Sequence, residues 1–150
     1  MLHPAPTTKI DPQTARGVLA DRFPETATKP AMVVLTFYNT QYELHLLPVG
    51  EIATPDSVKH GKRVEGRIRA DAKRVDIVTS GGRYVEPVHG RPRRVQGSIV
   101  ATDNTKNTIT VNAGVPIECR LTDRRQTASQ FEPGQFVSFD VMRGATFELG

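Results

Sequence analysis

The sequence predicts an all-β, single-domain chain with one or two short helices, and three observations point that way. Turn formers are dense, with 12 Gly and 11 Pro in 150 residues, which divides the chain into many short elements. Several runs alternate apolar and polar residues with a period of two, the mark of a half-buried strand. Hydrophobic residues make up 37% and charged residues 24%, enough apolar surface for a chain of this length to build one core.

In chain order, residues 1–10 read as a flexible tail. Asp11-Pro12 matches an N-cap followed by proline at the first helical position. Ala15, Val18, Leu19 and Phe23 then share one face of a 3.6-residue period, so a short helix is expected over 12–23, stopped by Pro24. Tail and helix form a leading segment, 1–30, ahead of a single β-barrel-like domain, 31–150. Met32–Tyr38 and Gln41–Leu47 read as a hairpin around Asn39-Thr40, with Val33, Leu35 and Phe37 facing inward from one strand and Tyr42, Leu44 and Leu46 from the other. Pro48–Lys59 reads as a loop.

A weak internal repeat follows. Arg63-Val64-Glu65-Gly66-Arg67-Ile68-Arg69-Ala70 aligns with Arg94-Val95-Gln96-Gly97-Ser98-Ile99-Val100-Ala101. Each copy starts a strand and is followed by two further β runs, Val75–Val78 and Tyr84-Val85 in one, Thr108–Val111 and Ile117–Leu121 in the other. Two three-stranded meanders are expected, within 63–87 and 94–119. With only two copies, the repeat fits duplication inside one domain better than a solenoid. Asp123–Phe131 reads as a short helical turn, followed by strands over Phe136–Met142 and up to Leu149.

From Arg94 onward the order strand, strand, strand, short helix, strand, strand resembles the OB-fold, a five-stranded Greek-key barrel that commonly binds oligonucleotides or oligosaccharides. The resemblance covers residues 93–149. Gly134-Gln135-Phe136-Val137-Ser138-Phe139-Asp140-Val141 also looks like the closing strands of cold-shock domains, although the strands over 108–111 and 117–121 lack the aromatic residues with which those domains hold RNA. The architecture implied is an OB-like Greek-key β-barrel preceded by a β-hairpin and a second three-stranded meander.

Charge is unevenly spread. Between Lys59 and Arg94 there are eleven Lys/Arg against four Asp/Glu, a balance of +7, whereas the rest of the chain carries −3. Strand alternation puts Arg63, Glu65, Arg67 and Arg69 on one face, a row that Lys62, Lys73 and Arg74 extend and that suits a phosphate backbone. An exposed arginine face that blocks edge association is the plainer use of such a row. The joint Tyr84–Arg94 adds Arg91, Arg93 and Arg94, with Arg83 just before it, and its Gly90-Arg91-Pro92 resembles an AT-hook core with His89 in place of the first arginine. Tyr38, Tyr42, Tyr84, Phe131 and Phe136 are the aromatics free to leave the core, and Tyr84, beside the basic joint, is the best placed to stack on a base.

Catalytic patterns are lacking. The four histidines, at 3, 45, 60 and 89, have no zinc-ligand spacing. His45 is expected to face outward, and Cys119, sharing parity with Ile117 and Leu121, to be a buried, inert thiol. The longest apolar runs fall far short of the roughly 20 residues of a membrane helix. No secretory signal pattern leads the chain, and the lone cysteine suits a reducing, cytoplasmic setting.

The expectation is therefore a non-enzymatic, cofactor-free protein that binds nucleic acid weakly or with little sequence preference. The residues assigned to it are Lys62, Arg63, Arg67, Arg69, Lys73, Arg74, Arg83, Tyr84, Arg91, Arg93 and Arg94. The same cations suit an acidic protein partner, self-association through β edges, or an anionic saccharide or metabolite.

Overall fold

The computed structural model describes residues 11–150, and the tail expected over 1–10 lies outside them. Twelve strands run through the described residues: β1 (Ala15–Phe23), β2 (Met32–Phe37), β3 (Glu43–Val49), β4 (Arg63–Ala72), β5 (Asp76–Ile77), β6 (Tyr84–Glu86), β7 (His89–Gly90), β8 (Arg94–Asp103), β9 (Thr108–Asn112), β10 (Pro116–Leu121), β11 (Phe136–Asp140) and β12 (Thr146–Leu149). The helical pieces among the described residues are two short 3-10 turns, Gly50–Ala53 and Ala128–Gln130. The fold is all-β, and among the described residues no helix is long and apolar enough to cross a membrane.

The strand pairings close two circuits. In the first, β1, β2 and β3 form an antiparallel meander, β3 runs parallel to β12, β12 is antiparallel to β4, and β4 returns antiparallel to β1. In the second, β8, β9 and β10 form a meander, β10 runs parallel to β4, and β11 is antiparallel to β8. The end of β4 meets the end of β11 through the Ala72–Val141 bridge, where the Lys73 N–H donates to the Asp140 carbonyl (2.8 Å) and the Met142 N–H to the Asp71 carbonyl (2.7 Å). β4 belongs to both circuits.

Alternation along β4 turns Val64, Ile68, Ala70 and Ala72 inward. They join one hydrophobic cluster that includes Leu19, Leu35, Leu46 and Phe147 of the first circuit and Ile109, Ile117, Cys119 and Phe139 of the second. Burying such side chains is the main favourable contribution to a fold of this kind.

Three sequence expectations change. The helix over 12–23 is instead strand β1, because its buried residues, Ala15 and Leu19, fit a period of two as well as 3.6 and both edges of the segment find partners, β2 and β4. A register shift between Leu19 and Asp21 marks a bulge. Asp11 still works as a cap, but for a single turn: the Gln13 N–H donates to its carboxylate at 2.8 Å. The first meander does not form, since both edges of β4 are occupied; β5 pairs with β11 and β6 with β8. The strands from Arg94 onward do not pair as one unit either, because β12 leaves for β3 and β4, and β4 lies beside β10 in its place.

The repeat has a physical meaning. Gly66 and Gly97 are aligned in the two copies: Gly66 is flanked by β1 on one side and β12 on the other, and Gly97 lies between the stretch of β8 paired with β6 and the stretch paired with β9. A Cβ at Gly66 would collide with the Glu148 carbonyl oxygen, and one at Gly97 with that of Asn112. Both positions need glycine for close backbone approach. Gly66→Ala and Gly97→Ala should each cost about 1–3 kcal/mol of stability by denaturant titration. Gly82→Ala, with open space around it, should leave the midpoint nearly unchanged.

Candidate functional site

Alternation holds along β4, but two of its three outward arginines, Arg67 and Arg69, are not free. The Arg69 guanidinium donates to Glu118 at 2.8 Å and to Glu148 at 2.6 Å. Register explains it: Glu118 of β10 stands opposite Arg69, while Thr146 and Glu148 of β12 stand opposite Arg69 and Arg67. Glu118 is nearly buried, its side chain 9% exposed, so a facing cation offsets the cost of desolvating it. Arg67 donates to Gln13 (3.3 Å) and to Asp11 (3.2 Å). The middle of the row expected to track phosphates, Arg67 and Arg69, is thus neutralised within the protein.

The remaining assigned residues are dispersed. Lys62 and Arg63 are exposed at the start of β4. Lys73 and Arg74 lie just past its end, and Arg74 pairs with Asp76 at 3.3 Å. Close to Arg74, Arg125 holds the Asp123 carboxyl at about 2, by its side-chain bond first and then by its backbone N–H. Arg94 is held by Asp140 and Ser138, both at 2.8 Å. Arg83 and Arg93 are exposed, with no ion-pair partner among the described residues. Tyr84 is half-buried, its hydroxyl donating to Gln96 at 3.2 Å, which removes it as a free stacking platform.

Arg91 reaches the most suggestive location. β7 and β12 both run parallel to β3 along the same edge, β7 beside Glu43 and Leu44, β12 beside Leu47 to Val49. The chain leaving β7 carries Arg91 into the gap between them, and the turn entering β12 carries Arg143 and Gly144 into it from the other side. There the Leu47 N–H donates to the Ala145 carbonyl at 2.9 Å. The result is a cleft of about 190 Å³ lined by Thr28, Pro30, Met32, His45, Leu47, Arg91 and Arg143, with Gly144 and Ala145. His45 faces out into it, beside the Phe23 ring (5.5 Å between centroids). No carboxylate lines this cleft, whereas Asp11, Glu65 and Glu148 share the groove of Arg67 and Arg69.

Sequence reasoning missed Arg143 and His45 as site residues. Arg143-Gly144 reads as a plain turn, and only the parallel β3–β12 pairing brings it to the cleft. Of the five aromatics expected to be open, Tyr38 alone is fully solvent-facing, 89% exposed. Tyr42 is a strut: its hydroxyl donates to the Ala113 carbonyl at 2.7 Å and accepts the Val85 N–H at 3.1 Å, and burial raises its pKa. Phe131 is buried and Phe136 partly so.

Cys119 is fully buried, and burial first, then the Glu118 charge, pushes its thiol pKa up. Among the described residues no group of three His, Cys, Asp or Glu is placed to hold a metal ion. No family model, curated protein or solved structure matches the chain.

Two measurements check these assignments. Arg69→Ala, which strips Glu118 of its nearest cation, should cost about 1–3 kcal/mol, while Arg93→Ala should stay within about 0.5 kcal/mol. Because the folded Asp123 carboxyl titrates below its ordinary 3.8, its stabilisation is complete above that value and is lost as pH falls toward 2. Asp123→Asn should flatten the stability profile across that window.

Proposed function

We propose that the chain is a non-enzymatic binding module that holds single-stranded nucleic acid, with little sequence preference, on the outer face of β2 and β3. The observation that carries this reading is the cleft at the β3 edge, where Arg91, Arg143 and His45 converge without an opposing carboxylate.

Strand order supports it. Taking β1, β2, β3, β4 and β12 as strands one to five, the first circuit runs one, two, three, five, four and back to one, with three and five parallel. β8, β9, β10 and β11 repeat the order with β4 as the fifth strand. In each, a 3-10 turn follows the third strand. That order supports reading the chain as two OB-like units with one strand in common. OB barrels bind oligonucleotides on the face of strands two and three, between the loop after strand one and the loop before strand five. In the first circuit those loops supply Thr28 and Pro30 on one side, and Arg143 and Gly144 on the other.

Size selects the contact. At about 190 Å³ the cleft lies below the roughly 300–1,000 Å³ of small-molecule pockets, so it suits a phosphate group better than a whole nucleotide. Phosphate contacts position a ligand without reading its sequence. The phosphate contacts assigned from sequence to Arg67, Arg69 and Arg94 pass to Arg91 and Arg143 in this reading.

Fluorescence anisotropy with labelled single-stranded DNA and RNA, at about 50 and 200 mM salt, tests it. Binding should weaken with salt. Arg91→Ala and Arg143→Ala should each reduce affinity several-fold at low salt and lower the salt slope by about one, with much smaller effects for Arg67→Ala. No binding by the intact protein at low salt, or affinity indifferent to salt, overturns the reading.

A further inference from the structure

Resting on that reading, we infer that Tyr38 and Arg63 form a base-stacking subsite at the opposite end of the same outer face, so that the ligand is an extended strand anchored at both ends.

Tyr38 follows β2 and opens the turn in which Asn39 adopts a left-handed φ of 61°. At 89% exposed, and with no hydrogen bond to its hydroxyl among the described residues, the ring contributes nothing visible to the fold. It lines a groove of about 710 Å³ with Val18, Thr36, Phe37, Arg16 and Arg63. Register builds this groove: Arg63 stands opposite Val18, and Val18 opposite Thr36, in one row across β4, β1 and β2. Tyr38 lies two residues beyond Thr36, on the same side.

The charges in the groove are unequal. Arg16 is paired with Glu65 at 3.5 Å, which leaves Arg63 with no ion-pair partner among the described residues, and Lys62 is exposed beside it. A free guanidinium two strands away from a bare aromatic ring, about 10 Å at ordinary strand spacing, matches a nucleobase stacked on the ring with its phosphate on the cation. An acidic peptide would satisfy Arg63 but would leave the ring unused.

From Tyr38 to Met32 at the cleft is six residues of strand, about 20 Å. That length suits the low end of the roughly 4–16 nucleotides that one OB unit covers. Asp21 and Glu43 border the route, so attraction is concentrated at its two ends.

The chain contains no tryptophan, so Tyr38→Trp creates a single fluorescent reporter at the proposed stacking position. Its emission should be quenched by a decathymidylate in step with anisotropy. Tyr38→Ala should bind the same oligonucleotide about five- to a hundredfold more weakly, and Tyr38→Phe should bind nearly as the unmodified protein does. Denaturant midpoints should be unchanged in all three, since the ring is exposed. If Tyr38→Ala binds undiminished while Arg91→Ala is impaired, the subsite is overturned and the cleft stands. Should the unmodified protein fail to bind at low salt, both readings fall. Emission from the Tyr38→Trp variant that responds to polyglutamate and not to the oligonucleotide would make the groove a protein-docking surface, which also overturns the subsite.

Discussion

Most of this structure depends on β4 serving two strand circuits at once. Its ten residues pair with β1 and β12 over the first part and with β10 over the last, so neither edge is left for the residues that follow. Its inward side chains contribute to both sides of the core, and Gly66 lets the β12 backbone approach closely at Glu148. Two of the outward arginines, Arg67 and Arg69, then find themselves close to carboxylates from two flanking strands. A row that would be an anion track on an isolated hairpin becomes a buttress, because the strands packed on either side bring Glu118 and Glu148 and a poorly solvated carboxylate needs a cation nearby.

The cleft at β3 follows from the same scarcity of edges. β3 offers one edge to β2 and the other to two short parallel partners, β7 and β12, which cannot meet end to end without a gap. That gap is where Arg91 and Arg143 enter from distant parts of the chain. Unlike the β4 arginines they arrive on connecting segments, with no facing strand to supply an acid. Loops carried on a rigid sheet are the usual home of binding residues.

How much of this was legible in the sequence depends on the range of the interactions involved. β-favouring runs such as Met32–Phe37 and Phe136–Asp140, and the period-two alternation of Arg63–Ala72, are local and were readable. β1 was not, because Ala15 and Leu19 sit four apart and satisfy both periods; only the pairing edges of β2 and β4 decide. The basic segment was visible as composition, but whether an arginine is free depends on residues far away: Glu118 for Arg69, Asp140 for Arg94. Arg143 carried no sequence signal of its own. Tyr38 and Tyr84 looked alike as aromatics outside the core, and Gln96, which holds the hydroxyl of one and not the other, separates them.

The exchange of strands between the circuits also bears on how the molecule comes together. The strand that completes the first circuit, Thr146–Leu149, comes after every strand of the second, and the strand that completes the second is borrowed from before its own meander begins. Neither circuit can be cut out as a working half, and neither closes until contacts far apart in sequence have formed, which makes assembly slow relative to chains rich in local contacts. Since Arg143 is carried by the segment leading into Thr146–Leu149, the cleft exists only once that strand has paired with β3. Molecules frayed there would present the β3 edge bare, without the Arg143 cation.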